Sequence, residues 1–330
     1  MCPDPQSPLS LAVSDELAAW LMDPADPSAR FWAQTLACPG RPVGLDAQQA
    51  ILSASPAREI LQAQWPGGAW VSDRSGYTPR YRASFWQIVF LAELGAPTVD
   101  AIRRVCLFAI SRWQQPDGRF SMGHGAHGAT LCLNGALLYA LAWFGLAELE
   151  PVERLAVALA FQVTHEALTC EYAPRGGCAA RASGQGATAD RIVCVHGACI
   201  AARGLLTAPS VSGREAALGQ VRRLLAEADR WMPGAGDDPW WKLAFPLGLS
   251  SDVLEGMALA RALEIHVPRR AVEWILDKRD DSGRWRLERT YAPVWRRFGE
   301  IGQPHRHVTL RALRALKAAG AAISWPRLME

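Results

Sequence analysis

Three segments of this chain repeat one pattern: a polar stretch, a glycine, then an aromatic residue. They are LQAQWPGGAW (Leu61–Trp70), RWQQPDGRF (Arg112–Phe120) and LDKRDDSGRW (Leu276–Trp285). Their glycines, Gly68, Gly118 and Gly283, stand 50 and 165 residues apart, and 165 is three times 55. A period near 50 residues marks a repeat architecture. It predicts two degenerate copies, near Tyr172–Cys178 (YAPRGGC) and Trp231–Trp240 (WMPGAGDDPW). Asp-Gly and Ser-Gly supply a positive φ, and the aromatic residue fills the gap between neighbouring units.

Each copy leads into an apolar run of helical length: FWQIVFLAELG, LCLNGALLYALAWFG, CVHGACIAARGLL, LSSDVLEGMALARAL and VTLRALRALKAAG. More amphipathic helical stretches lie between them: DAIRRVCLFAISRW, ERLAVALAFQVTHEAL, GREAALGQVRRLLAEADRW and PRRAVEWILDKR. A run apolar on every side belongs inside, and a one-faced helix belongs outside. No long strand alternation is visible. The expectation is an all-α fold, a closed α/α toroid of inner and outer helices forming one domain over 1–330. In it, residues 1–54 complete the ring and about 55–320 hold five hairpin repeats. SDELAAWLM follows a Ser/Asp cap signal, and PSARFWAQTLA starts with Pro at a first helical turn.

Composition narrows the classes of function. Half of the 330 residues are hydrophobic and 20% are charged, which excludes a disordered chain. A net charge of +3 does not indicate a nucleic-acid partner. Residues 261–330 are more basic, with 15 Lys/Arg against 8 Asp/Glu. Their cluster of Arg284, Arg286, Arg289, Arg296, Arg297 and Arg306 suits phosphate oxygens, a peripheral membrane contact, or a solvated surface. Eight cysteines are too few for a disulfide scaffold, and MCPDPQSPLS lacks the basic and apolar regions of a secretory signal. A cytoplasmic location is therefore expected. The 19 residues Ala129–Ala147 carry no charge, and they are expected to form a buried helix rather than a membrane span.

QQPDGRF, DDSGRW and QWPGGAW resemble the QW-type repeat of the squalene-cyclase and protein-prenyltransferase superfamily, whose members are α/α toroids. The resemblance covers roughly 55–320. It is closest to small bacterial prenyltransferase/squalene-oxidase repeat proteins, through RASFWQIVFLAELG, CLNGALL, KLAFPLGLSSDVLEGM, SGRWRLERTY and GQPHRHVTLRALRALK. It implies a terpenoid-cyclase or prenyltransferase-like enzyme acting on an isoprenoid-like hydrophobic substrate in a central cavity. A zinc enzyme that activates a thiol or water, and a non-catalytic toroid binding a hydrophobic ligand or peptide, are the alternatives. Neither the Asp-x-Asp-Asp acid motif of proton-initiated cyclases nor the Cys-Gly-Glu-Gln thioester motif occurs in the sequence.

The resemblance places the cavity near the N-terminal ends of the inner helices. Asp237 and Asp238, before Trp240 and Trp241, combine acids with indole faces able to stabilise a cation, or they cap a helix. His124 and His127 in SMGHGAHGA can relay a proton or bind a metal, or form a solvated turn. Trp86, Tyr81, Tyr291 and Arg80 are expected at the substrate wall. Cys132 and Cys194, at the starts of successive inner runs, and His196 in CVHG form a candidate zinc site, with buried structural thiols as the other reading. In protein prenyltransferases and lanthionine cyclases, zinc ligands sit at comparable helix starts. His305 and His307 in QPHRH are further candidates.

Overall fold

The computed structural model describes residues 9–123, 128–165, 168–170, 192–232 and 238–326. Among them are thirteen α-helices and four strands of two or three residues, so the chain is predominantly helical as expected. The N-terminal part forms α1 (Asp15–Leu21), α2 (Pro27–Ala37), α3 (Leu45–Ser53) and α4 (Ala57–Gln62). Ser14 Oγ accepts from the Leu17 amide at 3.1 Å, and Asp26 accepts from Ala29 at 3.0 Å with Pro27 opening α2. These oxygens satisfy amides that a helix start leaves unpaired.

The apolar runs become α5 (Ser84–Glu93), α7 (Leu131–Trp143), α9 (Val195–Leu205), α11 (Val253–Ala260) and α13 (Arg306–Ala318). Between them run α6 (Asp100–Trp113), α8 (Glu150–His165), α10 (Arg214–Ala226) and α12 (Arg269–Asp277). All ten residues of α5 and ten of the eleven in α9 are buried, whereas α12 buries only Ala271 and Ile275. The apolar helices pack in series, α5 on α7, α7 on α9, α9 on α11, α11 on α13, and α13 on α2. Ser28 and Trp32 of α2 then reach the end of α5, donating to Leu94 O at 2.6 Å and Glu93 O at 3.0 Å. The uncharged stretch expected to be buried is α7. No helix among the described residues is long and apolar enough to cross a membrane.

Helices α7 and α9 approach each other closely. A Cβ on Gly135 would lie 2.6 Å from Ile200 O, and one on Gly204 would lie 2.5 Å from Gly135 O. Glycine at both positions lets the two backbones touch. The strands are too short for their alternation to be read from sequence. β1 (Ser10–Ala12) pairs in parallel with β4 (Ala322–Ser324), joining the two ends of the described chain, and β2 (Thr169–Cys170) pairs antiparallel with β3 (Ile192–Val193).

The glycine turns share their geometry. Gly68, Gly118 and Gly283 have φ of 94°, 89° and 82°. Each glycine amide closes the turn onto a carbonyl three residues earlier, at 2.8 to 2.9 Å. The aromatic that follows is pinned from both sides. Its amide donates to a polar side chain of the next apolar helix: Trp70 to Ser84, Phe120 to Asn134, Trp285 to Thr309. The indoles of Trp70, Trp240 and Trp285 donate to the carbonyl ten residues back, on Ile60, Arg230 and Ile275. Gln64 and Gln114 each join their own turn to the next amphipathic helix, at Ala101 O and Pro151 O. Each polar atom of the wedge is thereby paired as it is buried, as the burial of an indole requires.

Candidate functional site

Three of the apolar helices carry one charged residue apiece: Glu93 in α5, Arg203 in α9 and Glu255 in α11. The fold brings them together. Arg203 Nη2 lies 3.0 Å from Glu93 Oε1, and its Nε lies 4.0 Å from Glu255 Oε1. Glu255 Oε2 is 3.8 Å from Arg311 Nη2 on α13, and Arg311 grips Asp252. The result is a chain of five charges of alternating sign, Glu93, Arg203, Glu255, Arg311 and Asp252, supplied by four helices and the cap of α11. Alternation offsets the desolvation that each charge would suffer alone.

The ends of this chain are held differently. Asp252 caps α11 and accepts from the Glu255 amide at 3.1 Å and the Ala244 amide at 2.9 Å. Burial opposes its charge, but Arg311 overrides burial and holds the carboxyl below the usual carboxylate range. Glu93 Oε2 accepts from Leu247 N at 2.7 Å and Gly248 N at 3.3 Å. Burial nonetheless pushes the Glu93 carboxyl up, against Arg203 and these amides. For Arg203, burial opposes the charge and Glu93 and Glu255 outweigh it, so its pKa is raised. A guanidinium keeps its proton at any accessible pH. Glu93 is therefore the member of the pair whose proton can move.

A chamber of about 450 Å³ opens beside the charges. Trp32, Tyr139, Trp143 and Phe245 supply aromatic faces, and Leu36, Leu247 and Leu310 supply aliphatic ones. Glu93, Glu255, Arg203, Arg311, Arg314, Lys317 and His307 also line it. Trp32 and Trp143 stand 5.3 Å apart, and the Arg203 guanidinium lies 4.4 Å over the Tyr139 ring. The His307 ring stacks on Phe245 with centroids 4.0 Å apart, and burial pushes its pKa down to about 4. The imidazole is therefore neutral at pH 7. The helices α5, α7 and α9 contribute from their C-terminal halves, and α13 contributes along most of its length.

Of the described residues among those expected at the site from the sequence, none lines this chamber apart from the further candidate His307. Asp237, His124 and His127 lie outside the described residues. Asp238 caps a short 3-10 turn over Pro239–Trp241, accepting from the Trp240 amide at 3.0 Å. It lines a separate surface pocket with Trp241, and Trp241 packs edge-on against Trp274 at 4.7 Å. Trp86, Tyr81 and Tyr291 do come together, with centroids 4.8 to 5.6 Å apart, as a packed cluster against Phe90. The Tyr291 hydroxyl donates to Leu247 O. Arg80 lies 5.8 Å over the Tyr77 ring.

The candidate zinc residues are each engaged locally. Cys132 Sγ is 3.2 Å from Thr130 Oγ1, and Cys194 caps α9 by accepting from the Gly197 amide at 3.3 Å. His196 Nδ1 is 2.9 Å from Ser251 O. A carbonyl only accepts, so Nδ1 carries the proton, and the 3.3 Å approach of the Ser251 amide to the same atom is the weaker contact. Burial, reinforced by Arg289, pushes the His196 imidazole down to about 4. Among the described residues, no group of three or more His, Cys, Asp and Glu side chains is arranged to hold a metal ion.

No protein-family model and no curated protein matches the chain. Among solved structures, it is similar to a protein from Actinoplanes at 18% identity and a TM-score of 0.40, covering 89% of this chain and 90% of that one. It is also similar to the type II terpene cyclase MstE from Scytonema in its apo form, at 13% identity and a TM-score of 0.29, covering 84% of this chain and 99% of that one. A single-residue variant of MstE in complex with geranylgeranyl dihydroxybenzoate gives 12% identity and a TM-score of 0.29, covering 91% and 99%. Likeness this distant leaves the chemistry of the chain to be read from its own residues.

Proposed function

We propose that the chain is an α/α toroid whose chamber takes a hydrophobic, isoprenoid-like molecule, and that it works as a terpenoid-cyclase-like enzyme. The serial packing of α5, α7, α9, α11, α13 and α2 supports the ring. One observation carries the function: aromatic faces and a buried carboxyl whose pKa is raised share one chamber. Cyclisation through carbocations needs a proton donor and faces that stabilise positive charge. Glu93 is the donor to test, and Trp32, Tyr139, Trp143 and Phe245 are the faces. A binding-only toroid is the second reading. It is favoured by the donors that already occupy both Glu93 oxygens.

The test is to incubate purified protein with geranylgeranyl diphosphate and with geranylgeranyl dihydroxybenzoate and look for cyclised products by mass spectrometry. Native mass spectrometry of the same preparation looks for co-purified lipid. Product formed by wild type and lost in Glu93→Gln supports the enzyme. Binding without turnover supports the second reading. Neither product nor bound isoprenoid overturns both.

A further inference from the structure

His307, the second residue of α13, lines the chamber. Its Nε2 is 2.7 Å from Ser28 Oγ, and Ser28 Oγ is 2.6 Å from Leu94 O. A carbonyl oxygen only accepts, and a hydroxyl has a single hydrogen. The Ser28 hydrogen is committed to Leu94, so toward His307 Ser28 accepts. Nε2 therefore carries the ring proton, and the lone pair of the neutral ring is on Nδ1. Phe245, stacked on one face, holds the ring plane. Nδ1 has no hydrogen-bond partner among the described residues. It is an acceptor on a side chain that lines the chamber.

We propose that the molecule this chamber takes carries a hydroxyl group, and that His307 Nδ1 accepts the hydroxyl hydrogen. This rests on the reading of the chamber as a hydrophobic-ligand site, and it names the polar end of that ligand. The lining charges select among donors. In the lining, Arg203, Arg311, Arg314 and Lys317 outnumber Glu93 and Glu255, a positive balance that disfavours an ammonium group. A carboxylate or phosphate ester suits the cations but has no hydrogen to offer Nδ1. A neutral hydroxyl, on an isoprenoid alcohol or a prenylated phenol, satisfies both conditions.

Intrinsic tryptophan fluorescence, with Trp32 and Trp143 in the wall, reads the binding of geranylgeraniol, its methyl ether and the parent hydrocarbon. The ether accepts hydrogen bonds but cannot donate one. Wild type is expected to bind the alcohol about 5- to 10-fold more tightly than the ether, the worth of one hydrogen bond. His307→Phe keeps the ring stack and removes the acceptor. It is expected to bring the ratio of alcohol to ether affinity to about one, whatever it does to the affinity for both. Ser28→Ala releases the tautomer and is expected to shrink the preference. Equal binding of alcohol and ether by wild type, or a preference that survives His307→Phe, overturns the proposal. If His307→Phe does not fold, Ser28→Ala decides, and an unchanged preference overturns it. If the hydrocarbon and ether bind but the alcohol gains nothing, the hydrophobic site stands and only this inference fails. If no member of the series binds, both fail.

Discussion

Arg311 on α13 holds Asp252, the cap of α11, with both terminal nitrogens, at 2.6 Å to Oδ1 and 2.7 Å to Oδ2. Asp252 is fully buried, so the fork is what makes its charge tolerable inside the protein. Arg311→Met removes the cation and leaves a buried anion. The expected loss is about 3–5 kcal/mol in urea unfolding. Adding Asp252→Asn to that variant is expected to restore part of it, because the stranded charge is gone. An unchanged midpoint in Arg311→Met would show that the fork is incidental.

Gly135 and Gly204 set the distance between α7 and α9. A methyl group at either meets backbone, which cannot rotate away. Gly135→Ala is expected to cost about 1–3 kcal/mol through overpacking. Gly204→Ala should act through the same contact, so the double variant should lose less than the sum. Gly219 in α10 is the control. Its added Cβ meets only the tip of Arg223 at 3.9 Å, so Gly219→Ala should be neutral or stabilising. Equal effects at Gly135 and Gly219 would remove the packing argument.

Trp285 is fully buried, and its indole donates to Ile275 O at 2.7 Å. Truncation to Ala leaves a large cavity and removes the indole hydrogen bond, and it is expected to cost about 3–5 kcal/mol. Trp65, at the start of an equivalent turn but 51% exposed, should lose less than about 0.5 kcal/mol on the same change. Calorimetry of the two variants side by side checks the contrast.

The buried imidazoles make stability depend on pH. Both His196 and His307 are protonated only near pH 4 in the fold, against an ordinary value of 6.5. Between those limits the unfolded chain binds more protons, so stability rises with pH. Their contribution is complete above about 6.5, and it is lost as the pH falls toward 4, at most roughly 3 kcal/mol each. Arg289, Asp238 and Asp252 surround His196, and Asp26, His305, Arg306 and Arg311 surround His307. Glu93, whose pKa is raised, runs the other way. Its contribution is present below its ordinary value of 4.5 and fades as the pH rises. Burial also pushes the His305 imidazole down, and three imidazoles against one carboxyl predict a higher urea midpoint at pH 7 than at pH 5. The difference should shrink in His307→Phe, and a flat profile would contradict the assignment.

The helices and their turns are legible in the sequence because local physics determines them. The cap at Ser14, Pro27 at the first turn of α2 and the glycines at positive φ need only their immediate neighbours. The division between the all-buried α5 and the one-faced α12 follows from apolar periodicity within each segment. Glu93, Arg203 and Glu255 stand out as lone charges in apolar runs, and that is the signal available for the chamber. A denser group of reactive residues at the helix starts outweighs it in the sequence. Trp86, Tyr81, Tyr291, Cys132, Cys194 and His196 pack there against near neighbours.

By itself, then, the sequence determined the helices, their caps, the repeated turns and which runs must be buried, all of them set by contacts within about one unit. The tertiary structure alone decided where the chemistry collects. Glu93 and Arg203 are 110 residues apart, and Ser28 and His307 are 279 apart. A charge is tolerated in an apolar helix only if another helix presents its counterion, and a histidine tautomer is fixed only by the partner its other nitrogen meets. Both depend on which helices become neighbours and at what rotation. A local pattern of apolar residues leaves that rotation open, and the packing of the helices against one another settles it.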